Sequence, residues 1–586
     1  MKKQKSFFVN HLSIATQLAG YMSEDMGADH TVVVNPLVRS FSKEYQHAMS
    51  LKKFEVEGDV QALKQACLTS FRTRDNILSS YNRSLSSQRM AINDDSCLGF
   101  ILKRAQAVVA WVLNDITTDD VYLASRHSGG VTIGTKFFRT DSQAKFTAPM
   151  SCTERVSRLF KDYLSWDNGL KHALKSMSGL EVGNMFDIVR GSRATSVPKS
   201  ADKRRMICIE PTLNMYFQQG LMQIMYNRLK NVGLDVTTLP QTHKVLAARS
   251  SLTSLNATID FSNASDSVSY ELVKFLLPPK WFWWLDIVRS PEMLIGEEYH
   301  HLSAFSTMGN ATTFPLETLV FWSIAVASVM FTDTYGSYVS CFEPLKQLTV
   351  AKYSAPLPLN SSQSQRESCS VFGDDCILPV RAARIFIDSC RLLGFSINID
   401  KTFLDTGFRE SCGGDYYHGV NVRPFYIRSP VDRSRESFEP WLYTLLNGVI
   451  KKYIQYFGHL TYVYDKKALR FLFDLFAKHR LLVKLVPCSY PEDSGLVGRD
   501  SLRVVRNYGV SISPLAVFHD EFHDGPVLHG VVKFRYLRFV YKQKVDTDPG
   551  LQLALWLKRP QVSSFMSVHH VSVNPSAFSC LTLPLA

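Results

Sequence analysis

Apolar positions in this chain follow two rhythms, short runs between turn residues and longer stretches of helical period, and the two alternate through its middle. Residues 255–261 have the length and β-branched content of a buried strand, with Asp260 near its C-terminal end. Residues 370–378 predict strand, tight turn, strand, because Gly373 and Asp374 tolerate turn dihedrals between apolar flanks. Residues 268–277 predict a helix, capped by Ser265 or Asp266 and stopped by Pro278-Pro279. A helix over 213–229 would be apolar on one side, with Asn214 and Gln218 on another. Stretches 60–67 and 98–113 also look helical, as do 441–457 and the basic run 466–478. The longest apolar stretch, 319–331, is too short to cross a bilayer and suits a buried helix. Trp281-Phe282-Trp283-Trp284 reads as packing. Polar residues rich in Ser and Pro at 353–368 read as an inserted surface loop, and the segment after about 509 holds little diagnostic content.

Bulk properties narrow the classes. A chain of 586 residues is too long for one core, and 45% hydrophobic residues describe an ordinary folded protein. The excess of 66 basic over 53 acidic residues, a net +13, fits a polyanionic partner. Eleven scattered cysteines with no Cys-x-x-Cys pair disfavour a disulfide framework and a zinc site, and fit a reducing cytoplasm. Lys2, Lys3 and Lys5 before Phe7-Phe8-Val9 imitate a signal peptide, but Asn10 and His11 interrupt the apolar core, so a cytoplasmic start without a membrane segment is expected.

The chemistry lies in carboxylates. Asp374 and Asp375 sit together at the tip of the expected hairpin, where uncompensated negative charge is costly and a divalent cation is the usual remedy. With Asp260 they make the donor set of a two-metal site, in which cations roughly 3.5–4 Å apart clamp the attacking and leaving oxygens of a phosphoryl displacement. Oxygen-only donors suit Mg²⁺, with Mn²⁺ as the alternative. Nucleases and polymerases both use such a set. Upstream, Arg193, Lys199 and Lys203-Arg204-Arg205 precede a strand-like stretch at 207–209.

Taken in order, these segments resemble the RNA-dependent RNA polymerases of levivirus-type single-stranded RNA bacteriophages. The 193–211 segment is similar to the fingers motif that holds the triphosphate; 260–266 resembles motif A, 306–317 motif B, 373–375 motif C, 394–403 motif D, and 408–420 the motif before the thumb. The resemblance covers about residues 120–430. It implies an α+β right-hand architecture with fingers, a palm of antiparallel sheet backed by helices, and a helical thumb. The implied divisions are 1–192 for the N-terminal region and fingers, 193–430 for the fingers and palm core, and 431–586 for the thumb and C-terminal region. It also implies that Asp260, Asp374 and Asp375 bind two Mg²⁺ ions, and that Lys401 is the general acid for pyrophosphate. Arg193, Lys199 and Arg205 would hold the triphosphate, and Asp266 would sense the ribose hydroxyl. Ser306, Gly309 and Asn310 would contact nucleotide or template, with Gly309 letting the backbone approach. Met308 and Glu317 stand where many viral polymerases carry serine and asparagine, and the stretch between motifs B and C is long. Partners implied are RNA template and product, ribonucleoside triphosphates, host elongation factors Tu and Ts and a host RNA-binding ribosomal protein, in the cytoplasm of an infected bacterium. A metal-dependent nuclease, a reverse transcriptase and a non-enzymatic RNA-binding protein are the alternatives. The first leaves the basic segment and Lys401 idle, the second usually has a bulkier residue where Gly373 stands, and the third leaves the aspartates unexplained.

Overall fold

The 255–261 run condenses to a four-residue strand, Asn256–Ile259, buried along its whole length. It pairs antiparallel with Asp375–Pro379, which pairs in turn with Ser370–Phe372, so the hairpin strand after the turn lies at the centre of a three-stranded sheet. The computed structural model describes residues 9–28, 35–54, 60–88, 96–136, 140–200, 203–336, 367–430, 434–457, 466–486 and 490–497, and the short paired strands Leu537–Val540 and Val568–Val571. Most of the polar 353–368 run and most of the segment after 509 lie outside the described residues.

Helices back the central sheet, giving the α+β arrangement expected. Thr313–Tyr335 runs behind it and packs against Val380–Leu392 and Cys97–Leu113. It extends well beyond the apolar run at 319–331. Among the described residues it is the one single helix long and apolar enough to cross a membrane, yet 89% of its apolar window is buried within the protein. Phe321 stacks on Phe261 with ring centroids 4.2 Å apart, joining this helix to the segment after the first strand. Burying one such ring contributes about 1.5–3 kcal/mol. In Pro279–Val288, Trp281 and Trp284 are core while Trp283 is exposed.

Two expectations change. The helix after Asp266 begins later, at Tyr270–Leu276, and its cap is Ser269, whose side chain accepts the Leu272 N–H. Residues Ala264–Ser267 form instead a separate 3₁₀ turn. The helix Thr212–Asn231 has no polar side facing water at Asn214 or Gln218: both are fully buried and both donate to the Val288 carbonyl.

A second sheet orders its strands Lys203–Ile209, Ser192–Ser200, Glu292–Ile295, Glu298–His301. The register pairs Val197 with Arg205 and Arg193 with Ile209, which sends Arg193 and Arg205 to one face, and Lys199 sits in a register shift between Pro198 and Ser200. Met206 and Cys208 point the other way and pack on Phe71 of the 29-residue helix Val60–Gln88. A second large core joins the first helices, His11–Gly27 and Pro36–Met49, to the late helices Arg435–Phe457 and Lys467–Lys478.

Candidate active site

Register brings the aspartates together. Ile259 pairs with Cys376, so one further step along the ladder sets Asp260 beside Asp375, with Asp374 in the adjoining turn. Gly373 makes that turn with φ +60°, and its N–H donates to Thr318 Oγ1 at 2.9 Å, seating the turn on the buried helix. Burial pushes the Asp260 carboxyl up to about 6; Asp374 pushes the same way, while Lys401 opposes. Burial together with Asp374 and Asp260 pushes Asp375 up to about 7, although Oδ2 accepts the Cys412 N–H at 3.0 Å. The carboxylates thus resist one another's ionisation, the condition a cation relieves. Their hard, acceptor-only oxygens fit divalent Mg²⁺ or Mn²⁺. Among the described residues no three His, Cys, Asp or Glu side chains are drawn close enough to hold a metal as they stand, so a bound ion would have to gather them.

Asp260 is held by its neighbours. Asn398 Nδ2 donates to its Oδ2 at 2.6 Å, and Lys401 Nζ lies 3.7 Å from the same oxygen and 3.0 Å from Glu410 Oε1. Burial lowers the Lys401 pKa, but Glu410 and Asp260 more than offset it and carry the pKa above its ordinary value. In this arrangement Lys401 keeps its proton, so the general-acid role needs those ion pairs to break.

The basic hairpin covers the aspartates unevenly. Although Lys199 is exposed as a residue, partial desolvation of its ammonium and nearby Arg205 lower its pKa, while Asp374 and Asp260 pull it back up. Lys199 therefore lies in the field of Asp374 and Asp260, while Arg205 bears on Lys199 and on Asp266. Arg193 lies on the face of Arg205 but six residues back from Lys199 along the strand, roughly 20 Å at strand spacing, and faces solvent. Arg204 folds back to Ser196 and is structural.

Residues 306–313 are tied up internally. Ser306 Oγ accepts from Thr313 Oγ1 at 2.8 Å, and Asn310 Oδ1 accepts the Thr312 N–H at 2.9 Å in a turn just before the long helix. Both residues are buried. Gly309, at φ +111°, does permit a close approach, but to protein: an added Cβ would lie 2.0 Å from the Cys208 carbonyl oxygen. Ser306 and Asn310 thus help build the loop, while Gly309 is exposed beside them. Asp266 is pushed up to about 6 by burial, with Arg74, the Met308 N–H and Arg205 opposing.

The profile of the family described as RNA replicase, beta-chain, matches residues 6–342 and 359–448. The chain belongs to this family. The match begins far upstream of the resemblance at 120–430, and its interruption at 343–358 overlaps the start of the polar run at 353. Relatives include the RNA-directed RNA polymerase beta chain of Escherichia phage MS2, 33% identical over 52% of this chain and 50% of its own length. The subunit beta of Escherichia virus Qbeta is 34% identical over 56% and 49%, and that of Enterobacteria phage SP 31% over 67% and 62%. The chain thus spans about half to three fifths the length of these curated relatives. Among solved structures, the RNA-dependent RNA polymerase of bacteriophage phi12 overlaps 68% of this chain and 75% of its own at 11% identity, with a TM-score of 0.33. An overlap so loose adds nothing to the family assignment.

In this replicase-family chain several residues of the site carry no motif that sequence reading could assign. Arg74, from the distant Val60–Gln88 helix, donates to the Ser262 carbonyl at 3.3 Å and faces Asp266. Glu410 and Asn398 were visible inside their motifs without a role. Arg409, fully buried, donates to the carbonyls of Asn256, Thr406, Phe408 and Leu404 and pins the strand Phe408–Ser411 to the central sheet. Only a residue spacing shared with other polymerases pointed to Glu317, whose buried Oε2 accepts from Ser265 Oγ at 2.8 Å.

Proposed function

We propose that this chain is a template-directed RNA polymerase that joins ribonucleoside triphosphates and replicates a viral RNA genome. The observation that carries the reading is the strand register that sets Asp260 beside Asp375, with Asp374 in the turn between the hairpin strands. Family membership narrows carboxylate chemistry to polymer synthesis. In this reading Asp260, Asp374 and Asp375 hold two Mg²⁺ ions, which when bound activate the attacking hydroxyl and spread the charge of the departing pyrophosphate. Lys199 and Arg205 take the triphosphate, since Lys199 bears on Asp374 and Asp260 and Arg205 lies beside Lys199. Lys401 holds Asp260 in place and supplies positive charge beside the reacting phosphates. The strand-bearing middle serves as fingers and palm, and the helices Arg435–Phe457 and Lys467–Lys478 as thumb. Host elongation factors Tu and Ts and an RNA-binding ribosomal protein are proposed partners, in the cytoplasm of an infected bacterium.

The test is purified chain with defined RNA, the four ribonucleotides and Mg²⁺, repeated with bacterial extract. Labelled product complementary to the input RNA and up to its length is expected. Degradation of the RNA would support the nuclease alternative. Asp374→Asn and Asp260→Asn should each lower synthesis by more than the roughly 10–100-fold typical of a residue that merely supports a ligand, with RNA retention unchanged. Undiminished synthesis in either variant would refute the assignment.

A further inference from the structure

The helix Leu239–Thr253 precedes the first central strand, and its His243 is fully buried. Both ring nitrogens are nonetheless paired. Nδ1 lies 2.8 Å from Ser411 Oγ and Nε2 3.0 Å from Ser370 Oγ, hydroxyls of residues 168 and 127 positions away that are buried themselves. Ser370 opens the strand that runs into the Asp374 turn, and Ser411 closes the strand Phe408–Ser411. The imidazole also meets the ring of Phe372 edge-on, with centroids 6.4 Å apart, and Phe372 is the cross-strand partner of Asp375. Cys412, the residue after Ser411, donates its N–H to Asp375 Oδ2 at 3.0 Å, and its thiol bears on both Ser411 and Asp375. One side chain thus reaches Asp375 by two routes. The first runs along the hairpin through Ser370 and Phe372, the second across from the neighbouring strand through Ser411 and Cys412.

We propose that His243 is a positioning residue for the metal ligands: by holding Ser370 and Ser411 at one spacing, it fixes the Cys412 amide against Asp375 and sets how tightly the carboxylates take a divalent cation. This rests on the two-metal polymerase reading and adds to it a residue that touches neither substrate nor cation. Burial pushes His243 down to about 3, so near neutral pH the ring is uncharged and offers one donor and one acceptor. A serine hydroxyl takes either role, which lets a single ring satisfy both sides. The imidazole is a rigid plane with no slack between its nitrogens. The two strands therefore cannot shift against each other without leaving a buried polar atom unpaired, which folded proteins avoid. Partners that orient a metal ligand matter nearly as much as the ligand itself. A histidine that served packing alone would alter stability and leave the cation requirement unmoved.

The experiment reads cation affinity directly, by electron paramagnetic resonance of Mn²⁺ titrated into the full chain, and separately as the Mg²⁺ concentration that gives half-maximal synthesis. Asp375→Asn, which removes the ligand itself, marks the Mn²⁺ signal that belongs to this site. His243→Leu keeps bulk and removes both hydrogen bonds. It should weaken Mn²⁺ binding and raise the half-saturating Mg²⁺ by roughly 10–100-fold, with the ribonucleotide KM at saturating Mg²⁺ within about twofold of the parent. His243→Asn, whose amide reaches the place of Nδ1, should recover the Ser411 bond and lie within about threefold of the parent in both readings. Ser411→Ala, a smaller change, should shift both readings several-fold and decides the matter if the leucine variant does not fold. Unchanged Mn²⁺ affinity in Ser411→Ala or in a folded His243→Leu would overturn the proposal. Slower synthesis at an unaltered Mg²⁺ requirement would overturn it too, as the mark of a structural histidine. Mn²⁺ binding that does not depend on Asp375 would sink the metal reading and this proposal together. If the parent chain makes no RNA, in extract or alone, the polymerase reading has failed, while the Mn²⁺ titration still decides what His243 does.

Discussion

Lys401 and Glu317 show how burial and neighbours set the charge a side chain carries. Lys401 is pinned between Glu410 and Asp260 with its pKa above the ordinary value, so its contribution is a fixed positive charge. Lys401→Arg should then retain synthesis within about tenfold, whereas Lys401→Ala should lose roughly 10–100-fold, as supporting residues do. Near-equal damage by both would favour proton donation by Lys401, because arginine does not deprotonate. Glu317 has the opposite problem, a carboxyl whose pKa is raised from 4.5 to about 8 by burial and then by Asp374. The folded state binds this proton more tightly than the unfolded chain does. Below pH 4.5 both states are protonated and nothing is lost; as pH rises from 4.5 to about 8, folding stability falls, and above that the loss is constant. Glu317→Gln should therefore be more stable than the parent at pH 9, by on the order of a few kcal/mol, and little different at pH 4.5. Urea denaturation of both proteins at the two pH values checks this, and an equal difference at both would contradict it.

At the scale of elements, the informative contacts are those in which one segment completes another. Asp25, near the end of the helix His11–Gly27, accepts the N–H groups of Lys467 and Ala468, each at 2.9 Å, and the Tyr453 hydroxyl at 2.7 Å. It thereby caps the helix Lys467–Lys478, which has no side-chain cap of its own. A carboxylate at a helix N-terminus satisfies orphan donors and meets the positive end of the dipole. Asp25→Ala should destabilise the chain by about 1–3 kcal/mol, since the Ala468 amide and the Tyr453 hydroxyl are left buried without their acceptor. Asp25→Asn should cost less, because one acceptor oxygen survives. A denaturation midpoint unmoved by Asp25→Ala would show that the cap contributes nothing.

For the molecule as a whole, the first described helices belong with the last. Tyr45 donates to Asp415 at 3.0 Å, Gln46 exchanges hydrogen bonds with the Phe425 backbone, and Phe54, Val38 and Leu18 share a core with Trp441, Leu446 and Phe476. Removing residues 1–54 should expose that core while sparing the one around the central sheet. Limited proteolysis of the truncated chain is expected to cut rapidly within 434–497 and slowly within 256–335. Uniform resistance would mean that the late helices stand without the early ones.

Much of this chain was legible because its signals are local. Turn chemistry at Gly373, strand content before Asp260 and the apolar period of 441–457 and 466–478 depend only on neighbouring residues, and the structure has strands and helices there. Local signals failed where a distant segment satisfied the group. Asn214 and Gln218 look like a polar face until Val288 and the rest of the core enclose them. The helix after Asp266 was expected to be capped by Ser265 or Asp266, but Ser265 donates to Glu317, 52 residues on, and Ser269 caps the helix. The order of the aspartates was written in the sequence; their meeting at one end of a sheet was decided by strand register, a relation between residues more than a hundred positions apart. Tertiary packing alone gave Glu317 its charge state, joined Arg74 to Asp266 and set Asp25 on a helix far along the chain. Burial and charge pairing are properties of the surroundings, and a linear sequence does not name a residue's surroundings until the chain has folded.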